Sequence, residues 1–280
     1  EYICDQIIQT ERIMKIAIIG AGNIGGAIAR GLAQGTIFQP SEIICTAQSE
    51  ETLEKMRKIN PEFILTHNNV EAAKQADMVL IAVKPWRVER IIDEIKPALD
   101  FDRQIILSVA AGVTFDLLST YLTKNMDYNQ MGTPTIFRLM PNTAIEVLSS
   151  MTFISARNAS QEQIDLVLRI FMELGNAMLI EERLMAAGTA LASSGIAFAL
   201  RYMRAAIEGG VELGFYPKQA QEIVVHTVKG AVDLLLENKS NPEMEIDKVT
   251  TPGGITIKGL NEMELSGFTS AVIRGLKASK

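Results

Sequence analysis

A glycine pattern near the start of the chain has the form of a dinucleotide-binding turn. Gly20, Gly22 and Gly25 follow an apolar run and open a segment of helical periodicity. In a G-x-G-x-x-G turn the first glycine permits the tight turn, the second lets a diphosphate reach the backbone, and the third lets the helix pack on the sheet. Free N–H groups at the helix start bind the phosphates. The predicted cofactor turn consists of Gly20, Ala21, Gly22, Asn23, Ile24 and Gly25.

The end of the second predicted strand bears on which dinucleotide is bound. An NAD site carries Asp or Glu about 20 residues after the glycines, where it hydrogen-bonds the ribose 2′-OH. Ala47 and Gln48 occupy that position, whereas Glu50 and Glu51 suit the first turn of the next helix. Without a carboxylate to repel a 2′-phosphate, NADP is favoured. No arginine stands in this stretch to bind the phosphate, so use of NAD stays open.

Two further strand ends carry residues that suit a cofactor site, because doubly wound sheets bind ligands at the carboxyl ends of their strands. In IAVKP, residues 81–85, Lys84 either hydrogen-bonds cofactor hydroxyls or is an ordinary solvated lysine. In SVAAGVT, residues 108–114, small side chains leave room for a nicotinamide or a ribose.

A pair of glycines precedes a helical stretch near the end of the chain, in TTPGGITIKGLNEME, residues 250–264. If a helix begins there, the N–H groups of Gly253, Gly254, Ile255 and Thr256 form its free first turn, which binds anions such as a carboxylate. The alternative is a plain helix start in which Thr251 or Thr256 supplies a capping hydroxyl.

Composition excludes several other classes of function. The net charge of −6 over 280 residues gives no electrostatic footprint for nucleic acid or an anionic membrane.

Cys4 and Cys45 are the two cysteines, which favours a reducing cytoplasm over a disulfide framework. His67 and His226 lie in unrelated segments, each interpreted as an ordinary polar residue, and no metal-ligand motif is present. Hydride transfer, which is the chemistry of a cofactor, remains.

Hydrophobic patterning predicts two domains. Short, continuously apolar runs alternate with amphipathic segments up to about residue 180, as in a Rossmann-type, doubly wound sheet covered on both faces. After residue 181 the spacing is helical throughout. We therefore expect a dinucleotide-binding α/β domain over 14–180 and an all-helical domain over 181–280. Residues 1–13 lack the sections of a signal peptide and are interpreted as an extension upstream of Met14.

The helical domain is rich in small residues. The uncharged run from Leu184 to Leu200 is short and polar for a membrane span and is interpreted as a buried helix. Close helix packing then forms either a monomeric core or an intertwined dimer interface, of which the dimer is favoured.

These motifs together resemble the pyrroline-5-carboxylate reductase family. The matching stretches cover nearly the whole chain from Met14, and the C-terminal one, from Thr251 to Gly267, is the most selective. In this family the helical domains of two chains interlock, so the resemblance implies a homodimer or a higher oligomer of dimers. The stretches are IGAGNIGGAIA, AVKPW, SVAAGVTFDLL, RLMPNTA, LASSGIAFAL and VTTPGGITIKGLNEMELSGF.

The resemblance implies a reaction and its site. The reaction is reduction of the cyclic imine 1-pyrroline-5-carboxylate to L-proline by NAD(P)H. Thr256 is the implied catalytic residue, since its hydroxyl would lie near the ring nitrogen and either relay the proton or only orient the ring. The implied substrate residues are Glu182, Thr251, Gly253, Gly254, Ile255 and Thr256. The implied cofactor residues, beyond the glycine turn, are Gln48, Asn69, Ala82, Val83, Lys84, Pro85 and Ala111.

Two departures from the family pattern and two alternative functions stay open at this point. Residues 193–197 read SSGIA where the family has G-S-G-P-A, and Ala144 replaces the last proline of M-P-N-T-P. One alternative is another imine or β-hydroxyacid reductase, although Lys218, Lys229 and Lys239 lie in no recognisable base motif. The other is a non-catalytic NADP sensor that binds a partner protein.

Overall fold

The structure, a computed structural model, describes residues 14–125 and 132–280. The expected upstream extension, residues 1–13, lies outside the described residues. The chain divides after Gly188 into two compact units, the second of which is Thr189–Lys280. The domain boundary predicted between residues 180 and 181 stays a prediction.

The first unit is built on a sheet of eight strands in the order β3-β2-β1-β4-β5-β6-β7-β8. The short apolar runs that precede residue 180 become its strands, because continuous apolar segments suit a sheet that is covered on both faces. The strands are β1 Ile16–Ile19, β2 Ile43–Thr46, β3 Ile64–Thr66, β4 Met78–Ile81, β5 Ile105–Ser108, β6 Thr135–Met140, β7 Ser150–Arg157 and β8 Gly175–Leu179.

Neighbouring strands are parallel except for β6 and β7, which pair antiparallel with Phe137 opposite Ala156. Only residues 141–149 join these two strands. That connection is too short for the crossover helix that a parallel pair requires. The sheet is therefore doubly wound from β1 to β6. The hairpin reverses the chain direction, so β7 and β8 run antiparallel to the other strands.

Helices cover both faces of this sheet. They are α1 Asn23–Leu32, α2 Glu50–Ile59, α3 Asn69–Gln75, α4 Val88–Ile95, α5 Phe115–Thr123, α6 Gln161–Met172 and α7 Met185–Gly188. Ile16 and Ile18 of β1 pack into one apolar cluster with α1, α2 and α6, while Ala17 and Ile19 pack into a second cluster with α3, α4 and α5. Successive residues of a strand point to opposite faces, which produces the two cores.

The second unit is helical throughout. A π-helical stretch, Thr189–Ser194, opens it. Pro217 and Pro242 each stand at the first position of a helix, and Gly267 is the N-cap of the last helix, so these residues separate the elements. The remaining helices are α8 Gly195–Glu212, α9 Pro217–Asn238, α10 Pro242–Val249, α11 Ile255–Leu265 and α12 Phe268–Ala278.

The interpretation of residues 184–200 as a buried helix is wrong for most of the segment in the single chain: Met185, Gly188 and Ala190 are buried, but Leu191 and Leu200 are 63% and 57% exposed. Within α8–α12 only Ala220 is fully buried. By length and apolar composition alone, Glu182–Glu212 could cross a membrane, but one such segment is weak evidence, since core helices of soluble proteins pass the same test. Within one chain the helical unit thus leaves much of its apolar surface uncovered.

Candidate active site

A cleft of about 640 Å³ opens at the carboxyl ends of β1, β2, β4 and β5. Strand order reverses between β1 and β4, and ligands of doubly wound sheets bind at such a point. The cleft brings together every predicted cofactor residue except Gly25: Gly20, Ala21, Gly22, Asn23, Ile24, Gln48, Asn69, Ala82, Val83, Lys84, Pro85 and Ala111.

Each glycine of the first turn occupies a position that a side chain would disturb or fill. Gly20 has φ +102°, and a Cβ there would meet Val83 Cγ1 at 2.8 Å. A Cβ on Gly25 would lie 2.2 Å from the Gly20 carbonyl oxygen, which places Gly25 behind the cleft wall rather than in its lining. Beside Gly22 the space is open, with no atom of any residue other than its chain neighbours within 4 Å of a built Cβ. The opening beside Gly22 is therefore where a ligand can approach the backbone.

The start of α1 is suited to a diphosphate. Its N-cap is Gly22, which has no side-chain cap, and its first turn contains no acidic residue. In contrast, Ser49 caps α2, Asn68 caps α3 and Thr114 caps α5 through side-chain oxygens. The first N–H groups of α1 have no intrahelical partner and carry the positive end of the helix dipole. The residues present therefore fit the phosphates of a dinucleotide.

Thr46 links the glycine turn to α3. Its hydroxyl accepts a hydrogen bond from the Gly20 N–H at 3.2 Å and donates to Asn69 Oδ1 at 2.6 Å. Asn69 Nδ2 in turn donates to Glu94 Oε1 at 3.1 Å. Asn69 is thereby held against the end of β2.

Two side chains that lie beside the end of β2, and that come from other segments, were not predicted as cleft residues. Arg87 lines the cleft, and its Nη1 donates to Gln48 Oε1 at 2.8 Å, so the inference that no arginine is available there is wrong. His67 also lines the cleft, with Nδ1 2.7 Å from the Ala47 carbonyl oxygen and Nε2 2.9 Å from Glu50 Oε2. Its interpretation as an ordinary polar residue stays a prediction, since a place in the cleft lining assigns the ring no role. The available signal was position, since each follows a strand end at the same edge of the sheet as the glycine turn.

The cysteine in β2 takes no part in this chemistry. Burial raises the pKa of the Cys45 thiol to about 12, which keeps it neutral. A neutral thiol is a weak nucleophile. Within residues 14–125 and 132–280, no three His, Cys, Asp or Glu side chains cluster as metal ligands would.

The predicted substrate turn lies in the second unit. Gly253 has φ +74°, a left-handed conformation that glycine adopts without strain, and a Cβ on Gly254 would meet Thr251 Oγ1 at 2.6 Å. The helix α11 begins at Ile255 with Gly254 as its N-cap and no side-chain cap, so the alternative of a capping threonine hydroxyl is wrong. The Gly254 N–H is not free, because it donates to the Thr251 carbonyl at 2.9 Å. The N–H groups at the start of α11 remain to bind an anion.

Glu182, the other predicted substrate residue, lies in the first unit. Its Oε1 accepts hydrogen bonds from Arg138 Nη1 at 2.7 Å and from the Phe115 N–H at 2.6 Å. Thr251, Gly253, Gly254, Ile255 and Thr256 are adjacent in the turn before and at the start of α11. The substrate roles of all six residues stay predictions.

The sheet and the cleft define a dinucleotide-binding oxidoreductase with a helical second unit. Residues 15–112 match the family model described as NADP oxidoreductase, coenzyme F420-dependent. Residues 182–280 match the model for pyrroline-5-carboxylate reductase dimerisation.

Relatives match over nearly the whole chain. Pyrroline-5-carboxylate reductase 2 of Dictyostelium discoideum is 38% identical over 95% of this chain and 90% of that protein. Pyrroline-5-carboxylate reductase 1 of the same organism is 37% identical over 94% of this chain, which spans 48% of that longer protein. A solved pyrroline-5-carboxylate reductase from Coxiella burnetii is 28% identical, covers 95% of this chain and 96% of that chain, and superposes with a TM-score of 0.86.

The chain belongs to the pyrroline-5-carboxylate reductase family. The predicted family and fold class are therefore confirmed.

Proposed function

We propose that this chain reduces 1-pyrroline-5-carboxylate to L-proline with a nicotinamide dinucleotide, NADPH in preference to NADH. The observation that carries this function is the chain-long likeness to a reductase of that name, at 38% identity over 95% of the chain. The predicted enzyme class, an oxidoreductase acting on a C=N bond, and NADP as the cofactor follow from membership of the family and are confirmed.

The first unit holds the cofactor in this proposal. When bound, the cofactor supplies the hydride. The open space beside Gly22 and the uncapped start of α1 support diphosphate binding there. The predicted lining residues at the other strand ends, Gln48, Asn69, Ala82–Pro85 and Ala111, would orient the ribose and nicotinamide halves.

The start of α11 holds the substrate carboxylate. The N–H groups of Ile255 and Thr256 are directed along the helix axis, and Gly253 gives the turn its left-handed bend. The contribution of Gly254 is its small size, since its own N–H is bonded to Thr251. The helix dipole stabilises an anion bound there by about 0.3–1 kcal/mol, or by up to ~2 kcal/mol when the site is partly buried. This gain is modest, so directed hydrogen bonds must supply the specificity for the carboxylate.

The Thr256 hydroxyl acts on the ring nitrogen. A protonated nitrogen makes the imine carbon more electrophilic, and a hydroxyl next to it can donate to the neutral imine or orient an iminium that arrives protonated from water. A hydroxyl is a weak acid, so orientation is the larger part of its role. Correct placement of the ring over the cofactor supplies much of the remaining acceleration.

Assembly and location complete the proposal. The match of residues 182–280 to a dimerisation model and the exposed apolar surface of α8–α12 support a homodimer, which could assemble further into an oligomer of dimers. We place the boundary between a cofactor domain over 14–180 and a substrate and dimerisation domain over 181–280. The net charge of −6 and the free thiol of Cys45 support a cytoplasmic enzyme that binds neither nucleic acid nor membrane.

The test is the loss of NADPH absorbance with pyrroline-5-carboxylate, measured for wild type, Thr256→Ala and Thr269→Ala, with NADH as the second coenzyme. Thr269 is an exposed threonine of α12 and serves as the matched control. We expect turnover in wild type and the control, and a reduction of about tenfold or more in Thr256→Ala. Binding of NADPH without turnover would instead indicate a sensor.

A further inference from the structure

The end of β2 carries an unusual set of charged side chains for a dinucleotide site. Arg87 lines the cleft and is held by Gln48, the residue at the position where NAD sites carry a carboxylate. His67 lines the same cleft next to Ala47. Gln48 accepts the Arg87 hydrogen bond through its amide oxygen, so the guanidinium keeps further donors for a ligand.

The surroundings of His67 favour a positively charged ring. Its two nitrogens face the Ala47 carbonyl oxygen and a carboxylate oxygen of Glu50, both of which only accept hydrogen bonds. A neutral imidazole has one N–H and can satisfy only one of them, whereas the imidazolium satisfies both. The geometry therefore favours the imidazolium.

This pairing also removes the carboxylate that would oppose a phosphate. Glu50 is the first residue of α2, directly beyond the Ala47–Gln48 position. Its Oε2 lies on His67, and its Oε1 lies 3.9 Å from Arg57 Nη1. Arg57 pairs more closely with Glu54, so the His67 imidazolium is the main charge that offsets Glu50, and Arg87 adds a further positive charge to the cleft wall.

We propose that Arg87 and the His67 imidazolium bind the 2′-phosphate of NADPH and are the residues that select NADPH over NADH. This inference depends on the proposed use of a nicotinamide dinucleotide. Arg87 supplies a planar, permanently charged donor suited to phosphate. His67 supplies a charge that titrates, with Glu50 as the charged group on its ring and Lys84 and Arg87 as the other charged residues of the cleft lining.

Selectivity should therefore depend on pH. The Ala47 carbonyl, and then the Glu50 carboxylate, raise the pKa of His67 above its ordinary value of 6.5. Above that raised pKa the ring loses its positive charge and no longer offsets the Glu50 carboxylate, so the preference for NADPH should fall.

The experiment measures dissociation constants for NADPH and NADH by calorimetry, without substrate, for wild type, Arg87→Gln, Arg87→Lys, His67→Gln and Arg90→Gln. Arg90 is exposed on α4 outside the cleft lining and controls for the change in net charge. We expect Arg87→Gln to weaken NADPH binding by about tenfold or more with NADH nearly unchanged, and Arg87→Lys to recover part of the loss. Arg90→Gln should leave both constants unchanged.

The titration of His67 is the second arm. Between about pH 6 and about pH 9, the ratio of the NADH to the NADPH dissociation constant should fall more in wild type than in His67→Gln. The titration of the 2′-phosphate affects both proteins equally, so the difference between them reports His67. Equal weakening of NADPH and NADH by Arg87→Gln, or no change in either, would overturn the assignment of Arg87. Parallel pH profiles would overturn that of His67. Wild type that binds NADPH selectively but does not reduce pyrroline-5-carboxylate would refute the proposed function and leave this subsite intact.

Discussion

Glu182 is the counterion of Arg138. Glu182 Oε1 accepts from Arg138 Nη1 at 2.7 Å, and the Arg138 side chain is only 8% exposed. The same oxygen accepts from the N–H of Phe115, the first residue of α5. Arg157 Nη2 lies 3.9 Å from the other oxygen. One carboxylate thus compensates a buried guanidinium of β6 and satisfies the start of a helix, which gives Glu182 a structural role beside its predicted contact with substrate.

Replacing Glu182 by alanine should therefore destabilise the protein. The change leaves Arg138 buried without its partner, which typically costs about 3 kcal/mol. Glu182→Gln should cost less, because the amide oxygen still accepts a hydrogen bond. Thermal unfolding measures both, with Glu181→Ala as control, since Glu181 pairs with Arg183 in solvent. Unchanged unfolding temperatures together with a raised KM for the imine would show that substrate contact is the main role of Glu182.

Alanine at Gly25 and alanine at Gly22 should affect different properties, the first the stability of the fold and the second the affinity for NADPH. In Gly25→Ala the new methyl group would lie 2.2 Å from the Gly20 carbonyl oxygen, and relief of that overlap should cost about 1–3 kcal/mol of folding free energy or more. In Gly22→Ala the methyl group meets no residue beyond its chain neighbours within 4 Å, so stability should change little, apart from the small preference of an N-cap for glycine over alanine. It would occupy the space through which a diphosphate approaches, so NADPH affinity should fall by about tenfold or more.

Unfolding temperature and calorimetric NADPH affinity, measured on both glycine variants, separate the two effects. Gly22→Ala that binds NADPH as wild type does would place the diphosphate elsewhere in the cleft. Gly25→Ala that unfolds at the wild-type temperature would mean that the turn shifts without cost.

The fold could be predicted from the sequence because its signals are local. Continuous apolar runs such as IAII become buried parallel strands, and Pro217 or Pro242 marks the helix start that follows. The antiparallel pairing of β6 and β7 was less visible, because it depends on the length of one connection. The burial of residues 184–200 could not be judged, because composition does not tell whether the covering surface belongs to the same chain.

The site was predictable only where its residues are adjacent in sequence. The glycine turn and the PGGIT turn each lie within one segment, so their spacing carried the prediction. Arg87 and His67 reach the end of β2 from other segments, and no spacing rule joins them to Gln48. The consequence of Ala144, which departs from the family pattern, was also visible only in the structure. Its N–H donates to Asn142 Oδ1 at 3.0 Å, a hydrogen bond that the proline of the family pattern could not make.

The charge of His67 should appear in the pH dependence of stability. Because the folded-state pKa is raised from 6.5, protonation stabilises the fold; this contribution is fully present below pH 6.5 and is lost as pH rises through the raised pKa. The ring is exposed, so the effect on unfolding is small. Wild type should lose stability relative to His67→Gln over that window. The chain has two histidines, so NMR titration of His226→Gln reports His67 alone. A measured pKa below 6.5 would contradict the imidazolium geometry.

The exposed apolar face of α9 gives a direct test of the proposed homodimer. Val232 and Leu236, which are four residues apart on the same helix face, are 49% and 69% exposed in the single chain. Beside them, α9 and α10 form an apolar groove of about 750 Å³. In a monomer, glutamate at both positions would be tolerated, because each side chain would remain in water. In a dimer that covers this face, two buried carboxylates would oppose association strongly.

We therefore expect Val232→Glu/Leu236→Glu to shift the mass measured by light scattering from a multiple of the 30.7 kDa chain to a single chain. Leu117→Glu, at a 42% exposed leucine of α5 in the other unit, is the matched control and should leave the assembly unchanged. Helical circular dichroism at low temperature distinguishes a folded monomer from an unfolded one. A double variant that keeps the wild-type mass would mean that this face stays in solvent and that the dimer forms through another part of α8–α12. Loss of dimer with retained NADPH binding would show that the cofactor cleft, whose lining lies wholly in the first unit, does not need the partner.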